Sequence, residues 1–164
     1  MPIVSFDALP DTARVWVFGA ASPVTGDAAS RVLQTVDEHL AQWRAHGVPL
    51  VCARDWREDR FLAIAVDEAA SDASGCSIDA LFHVLQDVES ELEVSLVPSG
   101  LVYWRDPAGQ VVSAERAVFR AAASAGNVGR DTPVFDTLIT TVGDWRGNFE
   151  RPAGESWHRR WVGG

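Results

Sequence analysis

Short apolar runs along this chain alternate with segments whose apolar residues recur at helical spacing. Arg14-Val15-Trp16-Val17-Phe18 is β-branched and aromatic, and Gly19 and Pro23 punctuate its end, which predicts a strand. Thr25 then offers a cap with Asp27 in the first turn. Ala29, Val32, Leu33, Val36, Leu40 and Trp43 follow at the 3.6-residue period as far as Gly47, which predicts a helix. Residues 48–54 and 60–66 read as two strands joined by the polar hairpin loop Asp55-Trp56-Arg57-Glu58-Asp59. From Ser77 a second helix puts Ile78, Leu81, Leu85, Val88 and Leu92 on one face. A further strand is expected at Leu101-Val102-Tyr103-Trp104, with Ser95-Leu96-Val97 as the alternative occupant of that position.

This order, β-α-β-β-α-β, predicts an α+β fold with a ferredoxin-like core: a four-stranded antiparallel sheet with two helices on one face. A three-layer α/β domain competes, but the second and third strands are joined too tightly for a helix to lie between them. The last third predicts a small β-α-β appendage. Its hairpin turns through Asp106-Pro107-Ala108-Gly109, a helix capped by Ser113 covers 114–125, and a strand covers 134–142. The expected organisation is therefore a core at 1–98, an appendage at 99–147 and a C-terminal tail at 148–164. That tail carries Trp157 and Trp161 without periodicity, so it is expected to fold back over an apolar patch or dock on a partner.

Composition narrows the function. At 164 residues the chain can bury a sizeable core. Its net charge of −9 excludes a global electrostatic footprint for nucleic acid. All 14 basic residues are arginine, which excludes Schiff-base catalysis by lysine and a lysine-bearing P-loop. No apolar run approaches the ~20 residues that span a bilayer, so no membrane association is expected. Pro2-Ile3-Val4-Ser5-Phe6-Asp7 lacks the regions of a secretory leader, and two cysteines are too few for a disulfide framework, so a reducing cytoplasm is the expected location. Seven tryptophans are a heavy aromatic load. A ferredoxin-like sheet leaves one face bare, and either the C-terminal third or a second copy must cover it. Self-association through an aromatic surface, as a homodimer, is expected on that ground.

The candidate chemistry gathers at Ala73-Ser74-Gly75-Cys76-Ser77-Ile78-Asp79, where an apolar strand gives way to a helix. Free backbone N–H groups meet small side chains there. Ser74, Gly75 and Ser77 can hold a carboxylate or phosphate, with Asp67 and Glu68 at the edge of the same pocket. Alternatively Cys76, favoured as thiolate at a helix N-terminus, acts as a nucleophile with His46 as its base. His83 lies seven residues beyond Cys76, about two helical turns, and is poorly placed for that task. Against both stand plainer readings: a small residue filling a tight junction, and a serine that merely caps the helix.

Asp67, Glu68, Asp72 and Asp79 lack the alternating spacing of a calcium loop, and the histidines and cysteines show no zinc spacing, so no metal and no cofactor are expected. Arg54, Arg57 and Arg60 flank Trp56, an arrangement that can stack on bases; Asp55, Glu58 and Asp59 favour internal ion pairs instead.

Two resemblances extend these readings. Residues 13–18, Ala45-His46-Gly47-Val48-Pro49-Leu50, Ala65-Val66-Asp67-Glu68 and residues 73–79 together resemble an uncharacterised bacterial protein family over nearly the whole chain. Some of its members carry the automatic label "ABC transporter ATPase", a function this lysine-free sequence excludes for want of a Walker A motif. Tyr103-Trp104, residues 106–109, Phe119, Gly126-Asn127-Val128, Asp131-Thr132-Pro133-Val134-Phe135 and Asp144-Trp145 are similar to the bacterial GYF-like interaction module, from which the insertion at 138–143 departs. The function expected from all of this is a non-catalytic cytoplasmic module that binds a small anionic or polar ligand or a protein, and is not an ATPase. A cysteine-dependent enzyme is the alternative.

Overall fold

A computed structural model describes residues 3–69, 73–96 and 100–163 of the chain. Strand β1 (Arg14–Gly19) and helix α1 (Gly26–Ala41) form as their patterns predict, but α1 stops well short of Gly47. Strands β2 (Arg44–Ala45) and β3 (Val48–Pro49) make a miniature hairpin beyond it. His46 and Gly47 are its two turn residues, with φ of 51° and 78°, the left-handed pair that a two-residue hairpin requires. Gly47 thus serves a turn and not a helix stop.

Strands β4 (Cys52–Arg57) and β5 (Phe61–Val66) pair in antiparallel register, so Asp55, Trp56 and Arg57 are strand residues and not the expected loop. Their polarity is satisfied laterally: Asp55 accepts the Trp145 indole N–H and Arg57 donates to the Trp145 carbonyl, each at 2.8 Å. Glu58, Asp59 and Arg60 make the turn, the first two at positive φ, so Arg60 is not a strand residue.

Helix α2 (Gly75–Leu92) follows, and then strands β6 (Leu101–Arg105) and β7 (Val111–Glu115). Helix α3 (Arg116–Ser124), strand β8 (Pro133–Phe135), helix α4 (Val142–Gly147) and strand β9 (Glu150–Pro152) complete the chain. Ser113 is therefore a strand residue, its hydroxyl donating to the Ala21 carbonyl at 2.7 Å, and does not cap α3. The expected strand at 134–142 ends at Phe135.

The fold is α+β with antiparallel sheets. The first sheet has three strands in the order β1-β5-β4, the second four in the order β7-β6-β8-β9. The strand expected to complete a ferredoxin-like sheet beside β1 is β6, and it belongs to the second sheet instead. Ser95 and Leu96 form no strand, and Val97 lies outside the described residues. The free edge of β1 is met by the segment before α4: Val15 N–H donates to Thr140 O and Val142 N–H to Ala13 O, each at 2.9 Å.

Strand β5 is buried at every position, and its period-2 alternation divides the interior. Leu62, Ile64 and Val66 pack with Val32, Val36 and Leu40 of α1 and with Leu81, Leu85 and Val88 of α2. Phe61, Ala63 and Ala65 face a second core with Tyr103, Phe135, Trp145 and Phe149. Small alanines on that face leave room for bulky rings from the C-terminal third. A third core, around Phe119, collects Val102, Val134 and Val162, with Trp157 and Trp161 packed against it.

The tail thus folds back on its own chain, and the C-terminal third covers the second face of the first sheet. All seven tryptophans, all seven phenylalanines and the single tyrosine are buried or half-buried. No aromatic side chain is fully exposed, and the exposed large apolar side chains among the described residues are Val48, Val118 and Leu138. No helix among the described residues is long and apolar enough to cross a membrane.

Candidate functional site

The junction at 73–79 opens α2 through a reciprocal cap. Ser77 N–H donates to Ser74 Oγ at 3.1 Å, and Ser74 N–H donates to Ser77 Oγ at 2.8 Å. Ser77 Oγ also donates to the Ser74 carbonyl at 2.7 Å. The spacing of two serines three apart produces this box and satisfies two amide donors that would otherwise be orphans. It also binds the Ser77 hydroxyl to the cap, and Ser77 is buried. Its contribution is to shape the wall, while its carbonyl accepts the buried indole N–H of Trp43 at 2.8 Å.

Cys76 sits in the first turn of α2, exposed. It lines an open groove of about 360 Å³ with Ser74, Ser77, His39, Trp43 and His46. The thiol and His46 therefore share one concavity, because the left-handed His46-Gly47 turn brings the β2–β3 hairpin to the start of α2. No hydrogen bond links the thiol to an imidazole among the described residues. The amide N–H groups of Gly75 and Cys76 have no acceptor among them either, as expected of the first turn of a helix.

The other expected residues stand apart. Gly75 is exposed and does not line the groove, nor do Asp67 and Glu68. Asp67 ends β5, its amide donating to Val51 O at 2.9 Å and its carboxylate accepting the Ala69 amide at 3.1 Å. Asp79 and His83 are exposed along α2, and Asp72 lies outside the described residues. No group of three or more histidine, cysteine or acidic side chains able to hold a metal comes together among the described residues.

Two residues outside the expected set complete the wall. His39 and Trp43 face each other with ring centroids 5.9 Å apart. His39 Nε2 is buried without a partner, and burial holds this imidazole below its usual pKa. The available signal was their place four residues apart in the apolar pattern of α1, although Trp43 lies just beyond the helix end at Ala41. Cys52 is the opposite of Cys76. It is fully buried, its thiol 3.6 Å from the Leu40 carbonyl, and burial pushes its pKa up to about 12.

The arginines beside Trp56 are internal struts. Arg57 donates to the Trp145 carbonyl at 2.8 Å, and Arg60 is buried, donating to Ala21 O at 2.9 Å and Val111 O at 3.1 Å. This is the ion-paired and packed arrangement, not a surface for bases. Compared with protein-family models, with curated proteins and with solved structures, the chain matches none of them.

Proposed function

We propose that this protein is a non-catalytic binding module that takes a small polar or anionic ligand in the groove between the His46-Gly47 turn and the first turn of α2. One observation supports it above the others. Half-buried His39, the exposed His46 and Cys76 in the first turn of α2 line one open recess. Donors at the start of a long helix favour negative charge, and the imidazoles add directional bonds. On this reading the protein works in the bacterial cytoplasm, within the family it resembles, and has no ATPase activity.

Titration with inorganic phosphate, followed by the backbone amide signals of Gly75 and Cys76 and the ring signals of His39 and His46, tests the reading. Saturable shifts confined to these positions are expected. Their absence, or shifts spread over the whole surface, would overturn it.

A second reading is favoured by the exposure of Cys76 on the wall it shares with His46: a cysteine-dependent enzyme. It requires Cys76 to alkylate with iodoacetamide faster at neutral pH than an ordinary thiol, and the rate to fall in His46→Gln. An ordinary rate that is indifferent to His46 ends this alternative.

A further inference from the structure

A second concavity lies where the end of β1 meets β6 and the start of α3. It is a cleft of about 130 Å³ whose walls include Gly19, Tyr103, Arg116, Thr137, Leu138 and Trp157. It shares no residue with the groove at Cys76. We propose that this cleft binds a short-chain monocarboxylate, its carboxylate held by Arg116 and the Tyr103 hydroxyl and its hydrocarbon end set against Leu138 and Trp157.

The polar groups in the walls carry the argument, because they are donors in want of an acceptor. Tyr103 is 4% exposed, and its hydroxyl has no hydrogen-bond partner among the described residues. Burial pushes this phenol up to about 12, so it stays protonated and available to donate. Its seat depends on Gly19, where a Cβ would stand 2.5 Å from the tyrosine oxygen. Trp157 Nε1 is likewise buried without an acceptor. Arg116 lies 5.5 Å over the Trp157 ring and has no carboxylate within ion-pair distance among the described residues, in a chain of net charge −9. It is also the first residue of α3, where the helix favours an anion.

No acidic side chain is among the described residues of the walls. Of the acids adjacent in sequence to wall residues, Asp136 is paired with Arg151, and Glu115, beside Arg116, is exposed and lines no wall. Size sets the class: at about 130 Å³ the cleft is smaller than the ~300–1,000 Å³ of pockets for drug-sized ligands. Leucine and indole walls favour a hydrocarbon end over a fully polar anion.

The chain has a single tyrosine, so one carbon label at its phenol ring gives one reporter. Full-length protein labelled in this way is titrated with sodium propionate and, separately, with propionamide and inorganic phosphate. Propionate is expected to shift the Tyr103 and Trp157 indole signals saturably, while the neutral amide and phosphate leave them in place. Arg116→Gln is expected to weaken propionate at least about tenfold, as loss of a charge-assisted pair does, and Tyr103→Phe several-fold. An equal response to propionamide or phosphate overturns the proposal, as does a propionate affinity indifferent to Arg116→Gln. No saturable shift at millimolar propionate overturns it without recourse to any variant. The groove at Cys76 has separate reporters, so either site can fail alone.

Discussion

The indole Nε1–H of Trp145 donates to Oδ2 of Asp55 at 2.8 Å, joining α4 to the strand expected to dissolve into a loop at that residue. Arg57 lies 4.3 Å over the same ring and donates to the carbonyl of Trp145. The first sheet is thereby clamped to the C-terminal third through a fully buried tryptophan. Trp145→Ala is expected to cost about 3–5 kcal/mol, as large aromatic truncations do, and Asp55→Ala about 1–3 kcal/mol. Urea denaturation of the single and double variants should show less than additive losses, because the two residues share one bond. Additive losses would show that the bond contributes nothing.

Gly19 and Tyr103 form a second contact between the sheets. A methyl group at Gly19 meets the tyrosine oxygen at 2.5 Å and the ring carbon at 2.7 Å, so ring or backbone must shift. Gly19→Ala is expected to lower stability by about 1–3 kcal/mol, the usual cost of overpacking. In a Tyr103→Ala background the added methyl should cost far less. Thermal denaturation of the four proteins checks this, and an unchanged midpoint in Gly19→Ala alone would contradict the packing.

The two thiols differ in access and in chemistry. Cys76 is exposed, whereas Cys52 is buried with its pKa pushed up to about 12. Native protein should therefore release one equivalent of thionitrobenzoate from Ellman's reagent, and a second only on unfolding. Cys76→Ser should abolish the native reaction. Release of two equivalents from folded protein would contradict the burial of Cys52.

His158 makes stability depend on pH. Its ring is fully buried, Nδ1 lies 2.6 Å from Ser156 Oγ, and Nε2 has no partner. Burial lowers its pKa from 6.5 to about 4, against a smaller opposing pull from Asp136, while Arg151 adds to the fall. The folded state then binds fewer protons than the unfolded one between these values, so this contribution is fully present above pH 6.5 and is lost as pH falls toward 4. The slope is about 1.4 kcal/mol per pH unit within that window. Urea midpoints across it should fall more steeply for the native sequence than for His158→Phe, and parallel curves would refute the assignment.

Periodicity was enough to place β1, α1, β5 and α2, since each element's apolar spacing records a burial that is local in sequence. That a serine caps α2 was also legible, since capping is local in sequence; that it is Ser74, with Ser77 completing the box, the structure decided. Of the arginines beside Trp56, Arg57 pairs with Asp55 as the neighbouring acids suggested, whereas Arg54 pairs with the distant Asp37 and Arg60 with backbone carbonyls.

What the chain's own pattern could not reveal was decided at long range. Residues 55–57 look like a loop until Trp145, ninety positions from Asp55, supplies a partner for their polarity. Leu101–Arg105 reads as the fourth strand of the first sheet, yet it pairs with β7 and β8, because which edges meet depends on pieces distant in sequence. That His46 and Cys76 line one groove depends on the β2–β3 hairpin, which spacing does not reveal. Tertiary packing also decided the fate of the tryptophans: composition reports how many rings must be hidden, and only the folded chain shows that Trp16, Trp43 and Trp56 pack into the first core while Trp104, Trp145, Trp157 and Trp161 pack within the cores of the last third.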